Sequence, residues 1–316
     1  MTITRIDNDR QLIVSGAGGL IGSALIPQLE RSGYRVTRLT RRATGAGDIS
    51  WDPAGGRLDL RRAGPIHGVI HLAGENVGQR WTASRRKEIR ESRTRGTALV
   101  SAALARLESK PRVLISASAI GIYGNRGEEL LTEQSPPGKP EREFLVDVCL
   151  AWESAADPAR AAGVRVVHPR MGVVLSRRGG ALKKLLLPFT LGAGGPQGQG
   201  TQWMSWLAID DVVAAVIHLL DRSRLEGPVN LTSPEPVRNR EFARELGQVL
   251  RRPALLPVPA AALKLAFGEM AEDTILGSAR VHPAQLLRDG FRFLYPALAP
   301  ALRHVLGRDL TGSFPG

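Results

Sequence analysis

The stretch Leu12-Ile13-Val14-Ser15-Gly16-Ala17-Gly18-Gly19-Leu20-Ile21-Gly22 lies near the start of this 316-residue chain and is its most informative local pattern. Apolar residues run directly into the glycines, and a periodic apolar segment follows them. This order predicts a strand, a tight turn and a helix N-terminus, where unpaired backbone N–H groups and the helix dipole attract a pyrophosphate. We therefore predict that a dinucleotide binds at Gly16, Gly19, Leu20, Ile21 and Gly22.

The end of the next predicted strand indicates which dinucleotide binds. The strand Tyr34 to Leu39 runs into Thr40-Arg41-Arg42, and no Asp or Glu occurs between Glu30 and Asp48. An NAD site usually places an acidic residue here for the ribose 2′-hydroxyl, whereas arginine accommodates a 2′-phosphate. The alternative is that Arg41 and Arg42 are solvated loop residues in an arginine-rich chain. The spacing favours NADP(H) as the cofactor.

Composition narrows the class of protein. The only cysteine is Cys149, which excludes an intrachain disulfide and is typical of a reducing compartment. The six histidines do not cluster with cysteine or carboxylates at the spacing of metal ligands, so we predict no metal. No signal-peptide pattern and no apolar segment long enough to cross a bilayer occurs. We expect a cytoplasmic protein without a membrane partner.

The formal net charge of +13 raises the question of nucleic-acid binding. The basic residues are mostly arginines spread along the chain, and the arginine pairs carry no interleaved aromatic residues for base stacking. We therefore expect no nucleic-acid partner, and interpret the charge as a solubility feature that also attracts anionic ligands.

Segments with strand and helix patterns alternate through the first two-thirds of the chain. The pattern predicts an α/β fold: a Rossmann-type, doubly wound parallel sheet with a smaller, mostly helical C-terminal lobe. We assign 1–175, with 205–233 returning to it, to the dinucleotide-binding domain, and 176–204 with 234–316 to a substrate or lid lobe. Within this plan we expect a helix over 141–162 that Pro158 breaks or kinks near its end, and a strand ending at Val167.

Longer motifs then resemble a known family. They include Trp51-Asp52-Pro53, His71-Leu72-Ala73-Gly74-Glu75-Asn76, Arg80-Trp81-Thr82, Arg170-Met171-Gly172-Val173-Val174-Leu175 and Ser205-Trp206-Leu207-Ala208-Ile209-Asp210-Asp211. Together they resemble the extended, atypical short-chain dehydrogenase/reductases of the NAD(P)-dependent epimerase/dehydratase family, in the group that includes bacterial homologues labelled cell-division inhibitors. The likeness covers nearly the whole chain.

The resemblance implies cofactor contacts at particular positions. Thr40 and Arg41 match a contact to the adenosine 2′-phosphate, in agreement with the spacing argument. The other matching positions are Leu72, Ala73 and the adjoining Gly74 beside the dinucleotide, Glu88 and Arg93 on the long helix predicted from Thr82 to Leu107, and Val174 near the nicotinamide. For Glu88 and Arg93 a solvated helix face is an equally good interpretation.

The catalytic residues are where the chain departs from its superfamily. Reductases of this type use Tyr-x-x-x-Lys on one helix, because one turn brings the ammonium group close enough to lower the pKa of the tyrosine. Alignment on Trp152-Glu153 puts Leu145 and Cys149 at those two positions, and no Tyr-x-x-x-Lys occurs anywhere in the chain. The pair is therefore missing.

Two weaker catalytic candidates are Ser118 and Tyr123, in a segment that resembles the serine-bearing loop of extended members. The gap between them is five residues, one more than usual, so Ala119 is an alternative occupant of the serine position. We expect Tyr123 to line the pocket rather than to act as an acid, because no lysine is near it in sequence. Further pocket candidates are Glu75, Asn76, Gln202, Trp203 and Trp206, of which Trp206 fits better as a core residue.

Two hypotheses of different classes follow. The first is an NADP(H)-dependent oxidoreductase or epimerase-like enzyme with a non-standard active site and an unidentified small-molecule substrate. The second is a non-catalytic NADP(H)-binding sensor or scaffold, related to cell division and acting through a protein partner. A protein partner and a homodimer are both left open by the sequence.

Overall fold

The computed structural model describes residues 10–308 except 43, 44 and 46, so the ends of the predicted domains, 1–9 and 309–316, lie outside the described residues. In chain order its strands and helices are β1 Gln11–Ser15, α1 Leu20–Arg31, β2 Arg35–Thr40, β3 Ile49–Ser50, β4 Gly68–His71, α2 Ala83–Ala105, β5 Val113–Ser116, β6 Ser118–Ala119, β7 Leu130–Leu131, α3 Phe144–Ser154, α4 Asp157–Ala161, β8 Arg165–Met171, β9 Val173–Leu175, α5 Gly180–Thr190, β10 Trp203–Met204, β11 Trp206–Ala208, α6 Ile209–Asp221, β12 Gly227–Leu231, β13 Val237–Arg238, α7 Asn239–Leu250, α8 Ala260–Phe267, β14 Arg280–Val281, α9 Ala284–Arg288 and α10 Leu298–Val305. Short 3-10 turns cover Arg61–Ala63 and Ile120–Tyr123, and a π-helical turn covers Ala271–Ile275.

A parallel sheet forms the centre of the molecule, in the order β12-β8-β5-β4-β1-β2-β3, with β6 added beside β8. The residues of β1, β4 and β5 are buried along their whole length because helices cover both faces of the sheet. On one face α1 and α6 pack into a core with Val14, Ile70 and Val229. The predicted Rossmann-type sheet is confirmed.

Two boundaries differ from the sequence expectation. The helix expected over 141–162 begins only at Phe144. It is interrupted near Pro158, as predicted, and divides into α3 and α4, with Pro158 in the first turn of α4, where a missing N–H costs no helical hydrogen bond. The strand expected to end at Val167 continues to Met171. Pro169 is tolerated in β8 because it falls between two paired segments on that side of the strand. β8 pairs with β5 as far as Val167 and with β6 from Arg170 onward.

The C-terminal part is mostly helical, as predicted, and it contacts the preceding part of the chain through a separate two-stranded sheet and through the core on the α1 and α6 face. Val281 of β14 pairs with Leu131 of β7, and Leu286 and Phe291 belong to the same core as α1 and α6. A separate core joins α5, α7 and α10 around Trp206. Trp206 is fully buried, which confirms its interpretation as a core residue.

Candidate functional site

The loop between β1 and α1 is shaped by close backbone contacts. Gly16 has a φ of +70°, and a Cβ there would lie 2.8 Å from the carbonyl carbon of Leu72. A Cβ at Gly22 would lie only 2.3 Å from the carbonyl oxygen of Gly16. The N–H of Gly19 donates to that same oxygen at 2.9 Å. Glycine is therefore required at Gly16 and Gly22 for the chain to turn from β1 into α1.

The N-terminus of α1 remains open to a ligand. Its N-cap is Gly19, no side chain caps it, and its first turn carries no acidic residue. The backbone N–H groups of Leu20, Ile21 and Gly22 begin the helix at this point. The five residues predicted to bind phosphate thus lie together in one turn of backbone whose helix dipole favours an anion.

Ser15 at the end of β1 ties this loop to the neighbouring strand. Its Oγ accepts hydrogen bonds from the N–H groups of Leu72 (3.1 Å) and Ala73 (3.3 Å) and lies 2.7 Å from Nδ1 of His71. Because the oxygen already accepts twice, its own proton is available to Nδ1. Burial lowers the pKa of His71 to about 4, so the ring is neutral near pH 7.

The end of β2 carries the two predicted arginines on an open surface. Arg41 and Arg42 directly follow Thr40, the last residue of β2, and both are exposed. The hydroxyl of Thr40 donates to the carbonyl oxygen of Arg42 at 2.9 Å, which holds the turn. Because β2 lies next to β1 in the parallel sheet, these residues emerge at the same edge as the glycine loop.

The opposite wall is formed by the segment after β4. Leu72 and Ala73 lie against Gly16, and Gly74 faces Arg93 of α2, whose Cζ would lie 3.2 Å from a Cβ at Gly74. The Arg93 guanidinium stacks 4.9 Å from the ring centre of Trp152 and donates to the carbonyl oxygen of Ile89 at 3.1 Å. Of the two predicted residues on α2, Arg93 therefore lies beside the segment after β4, and its contact with a cofactor stays a prediction.

Glu88 has different surroundings. It is exposed on α2 and forms an ion pair with Arg85 at 2.7 Å, and the hydroxyl of Ser84 donates to its carboxylate at 3.2 Å. Arg85 also lies 3.4 Å from Glu75. The solvated-face interpretation therefore describes Glu88, while its role as a cofactor contact stays a prediction.

Val174 and the start of α5 lie close to the glycine loop. A Cβ at Gly179 would be 3.2 Å from Leu20 Cδ1, and one at Gly180 would be 3.4 Å from both Leu20 Cδ2 and the carbonyl oxygen of Val174. Farther along α5, the ammonium group of Lys184 donates to the carbonyl oxygen of Gly78, in the segment after β4. Helix α5 thus connects the glycine loop with the opposite wall.

The face of α3 that aligns with the Tyr-x-x-x-Lys pair is packed and apolar. Leu145 Cβ lies 3.2 Å, and the Cys149 sulfur 3.9 Å, from the position of a Cβ at Gly121. Cys149 is buried, and burial raises the pKa of its thiol to about 12. The thiol is therefore protonated near pH 7, and this face carries neither an ionisable hydroxyl nor a cation in place of the pair.

Ser118 and Tyr123 belong to a buried polar network instead of an open pocket. Ser118 Oγ donates to Glu153 at 2.6 Å, and Arg170 donates to both oxygens of Glu153 at 2.9 Å. The Tyr123 hydroxyl accepts from Arg170 at 3.0 Å and donates to Asn230 at 2.7 Å. The expectation that Tyr123 lines an accessible pocket is wrong, because its side chain is fully buried and its hydroxyl is already bonded.

The cleft on the C-terminal side of the molecule contains one of the predicted pocket residues. It encloses about 600 Å³ and is lined by Asn125, Gly127, Glu128, Gly198, Gln199, Thr201, Gln202, Ala260, Lys264, Glu272, Leu276 and Ser278. Gln202 is held there by hydrogen bonds to the carbonyl oxygens of Gln197 and Ile275, both 3.0 Å long. Trp203, next to it, donates to Glu128 at 3.0 Å. Glu75 and Asn76 lie apart from this lining, after β4.

Asp273 is an ionisable residue that sequence reasoning missed, and it adjoins Glu272 in the lining of the C-terminal cleft. Burial, together with the carboxylates of Glu269 and Glu143, raises its pKa to about 6, while the backbone N–H of Leu145 acts in the opposite direction. It lies in the π-helical turn, far from α3 in sequence. No local pattern could have predicted its contact with the N-terminal turn of α3, although π-helical turns occur often at functional sites.

Within residues 10–308, leaving out 43, 44 and 46, no group of three or more His, Cys, Asp or Glu side chains could hold a metal ion. In the same part of the chain, no helix is both long and apolar enough to cross a bilayer.

Comparison with known proteins gives a consistent family. The sequence profile of the NAD dependent epimerase/dehydratase family matches residues 12–231, and a domain of unknown function, DUF1731, matches 258–305. An epimerase family protein of Mycobacterium tuberculosis, MT2273, is 38% identical over 297 residues, covering 93% of this chain and 97% of the relative. The human epimerase family protein SDR39U1 is 33% identical over 303 residues, covering 94% and 99%.

A solved structure extends the likeness to three dimensions. The crystal structure of human SDR39U1 (isoform 2) with NADPH superposes with a TM-score of 0.84 at 32% identity, covering 95% of this chain and all of the other.

Proposed function

This chain belongs to the NAD dependent epimerase/dehydratase family, and we propose that it binds NADP(H) and acts as an oxidoreductase or epimerase-like enzyme on a small molecule through a non-standard active site. The observation that carries the proposal is the uncapped N-terminus of α1, beside a β2 strand that ends in two exposed arginines. The first feature suits the pyrophosphate and the second the 2′-phosphate. The NADPH in the human SDR39U1 structure supports the same choice of cofactor.

Different residues of the chain bind different parts of the cofactor. Gly16 and Gly22 let the backbone approach the pyrophosphate, and Ser15 fixes the wall that faces them. Arg41 and Arg42 would hold the 2′-phosphate, and Arg93 brings a positive charge to the far wall beside Gly74. NADP(H), when bound, supplies or accepts a hydride.

The assignment of the 2′-phosphate is tested by nucleotide affinity. In the double variant Arg41→Ala/Arg42→Ala we expect NADPH to bind at least about 100-fold more weakly and NADH to change less than threefold, because charge-assisted bonds to phosphate contribute about 1.5–3 kcal/mol each. Titration calorimetry with both nucleotides measures this difference. Arg38→Ala removes an exposed arginine from the same strand and should leave both affinities unchanged. Equal loss for NADPH and NADH would refute the assignment.

A second candidate function is an NADP(H)-binding sensor or scaffold that performs no chemistry. The packed Leu145 and Cys149, together with the buried Tyr123 hydroxyl, favour it, because none of them can exchange a proton with a substrate. Loss of NADPH absorbance with a chemically varied panel of carbonyl compounds separates the two functions. Turnover that the double arginine variant loses supports the enzyme, whereas NADPH binding without turnover across the panel supports the sensor.

A further inference from the structure

Four strongly exposed leucines lie on two adjoining segments of the C-terminal part. Leu187 and Leu191 are one turn apart at the end of α5, and Leu255 and Leu256 lie in the segment after α7. Their exposed fractions range from 58% to 80%. The two segments touch, because Arg252 Nε donates to the carbonyl oxygen of Thr190 at 3.0 Å. We call these four residues the leucine patch.

A basic groove adjoins the leucine patch. It encloses about 490 Å³ and is lined by Arg244, Gly247, Gln248, Arg251, Arg252, Ala254 and Leu255. Arg244 lies 3.3 Å from Glu245, whereas Arg251 forms no ion pair with any other residue of the described part of the chain. Lys183, also exposed, lies one turn before Leu187 on α5. The leucine patch is therefore bordered by positive charge.

The backbone at Arg251 adds an independent observation. Arg251 ends α7 with a φ of +55°, and within the described residues it is the one non-glycine residue with a positive φ. Glycine is the residue that usually occupies this position at the end of a helix, because it has no Cβ to clash there. This chain instead holds an exposed arginine in that conformation, beside Leu255 in the groove.

We propose that the leucine patch and the basic groove form a contact surface for an anionic lipid bilayer. Protruding leucines enter the boundary between headgroups and acyl chains, while adjoining arginines attract anionic headgroups. A protein partner fits less well, because the binding hot spots of protein interfaces are enriched in tryptophan and tyrosine and poor in leucine. A second copy also fits less well, since each copy carries a net charge of +13. The sequence expectation of no membrane partner rested on the absence of an apolar span, and a surface contact needs none.

Co-sedimentation of the full chain with vesicles tests this proposal. We expect binding to phosphatidylcholine vesicles that contain phosphatidylglycerol, and at least tenfold weaker binding to phosphatidylcholine alone. The double variant Leu191→Gln/Leu255→Gln should weaken binding to the anionic vesicles at least tenfold, because two apolar side chains no longer enter the bilayer. The control Leu265→Gln/Leu294→Gln changes two comparably exposed leucines outside the patch and should bind as the parent chain does.

The charged half of the surface has its own matched pair of variants. Arg251→Gly removes one charge and places glycine in a conformation that suits it, so the fold is kept; we expect about fivefold weaker binding to anionic vesicles. Arg106→Gly removes an exposed arginine at the C-terminal end of α2 and should have no effect on vesicle binding.

Four results would overturn the proposal. Equal binding by the leucine variant and the parent chain would assign vesicle binding to net charge alone. Equal binding to neutral and anionic vesicles would remove the role of the arginines. A concentration-dependent dimer, measured by light scattering and lost in the leucine variant, would make a second copy the occupant. Loss of vesicle binding in a variant that ends at Arg308 would assign the contact to residues 309–316.

Discussion

Among single residues, Ser15 links the two sides of the dinucleotide cleft, which are the glycine loop after β1 and the segment after β4. Its hydroxyl holds the N–H groups of Leu72 and Ala73, and those residues in turn contact Gly16. His71 completes the arrangement as a neutral, buried ring beside Ser15. The cleft is therefore organised without a bound nucleotide, and this lowers the conformational-entropy cost that binding must offset.

The glycine loop gives a prediction with an internal control. Gly22→Ala should lower the free energy of unfolding by about 2–3 kcal/mol, because its Cβ would lie 2.3 Å from the carbonyl oxygen of Gly16 and force the backbone apart. Gly18→Ala should change it by less than about 0.5 kcal/mol, because a Cβ there meets no atom within 4 Å. Urea unfolding without nucleotide, followed by circular dichroism, measures both variants. Equal stability of the two variants would contradict this account of the loop.

At the scale of elements, α3 is attached to the sheet by a buried ion pair. Glu153 near its end pairs with Arg170 of β8, and the side chains are 15% and 9% exposed. Burial alone would raise the pKa of Glu153, but hydrogen bonds and charge from Arg170 outweigh it and hold that pKa below its usual value. The helix that aligns with the Tyr-x-x-x-Lys helix therefore uses a different residue, Glu153, to hold its position against β8.

Breaking this pair should cost far more than breaking an exposed one on the same helix. Glu153→Gln should lower stability by about 3 kcal/mol, because it leaves the Arg170 charge buried and unpaired. Asp147→Asn breaks the exposed pair with Arg90 and should cost at most about 1 kcal/mol. A carboxyl with a lowered pKa stabilises the fold above its unfolded pKa of about 4.5, and that contribution is lost as the pH falls. Denaturation curves at pH 7 and pH 3.5 should therefore show a larger acid effect in the parent chain than in Glu153→Gln.

Elements with strong local patterns could be predicted from sequence, and long-range contacts could not. The glycine loop and β4 were predictable because apolar runs and glycines act within a few residues. The burial of Tyr123 was not predictable, because it depends on Arg170 and Asn230 from two other strands. The same holds for Asp273, whose raised pKa arises from residues that only the fold brings together.

At the scale of the whole molecule, the C-terminal part shares a core with the sheet. Phe291 lies in the core formed by α1, α6 and β12, 5.4 Å from the ring of His218. The packing therefore joins Leu286 and Phe291 to the core of the sheet. That 176–204 and 234–316 act as a substrate or lid lobe stays a prediction. Folding of the two parts should be coupled, because removing either exposes the same core.

This coupling predicts how a substitution in the C-terminal part affects the entire chain. Phe291→Ala should lower the free energy of unfolding by about 3–4 kcal/mol, because a cavity replaces a buried ring in the shared core. The chain should still unfold in a single transition in calorimetry, with the midpoint lowered and the calorimetric and van't Hoff enthalpies equal. Leu294→Ala, three residues away and largely exposed, should shift the midpoint only slightly. A split into two transitions in Phe291→Ala would show that the parts fold independently, since only a loosely attached lobe can melt while the sheet stays folded.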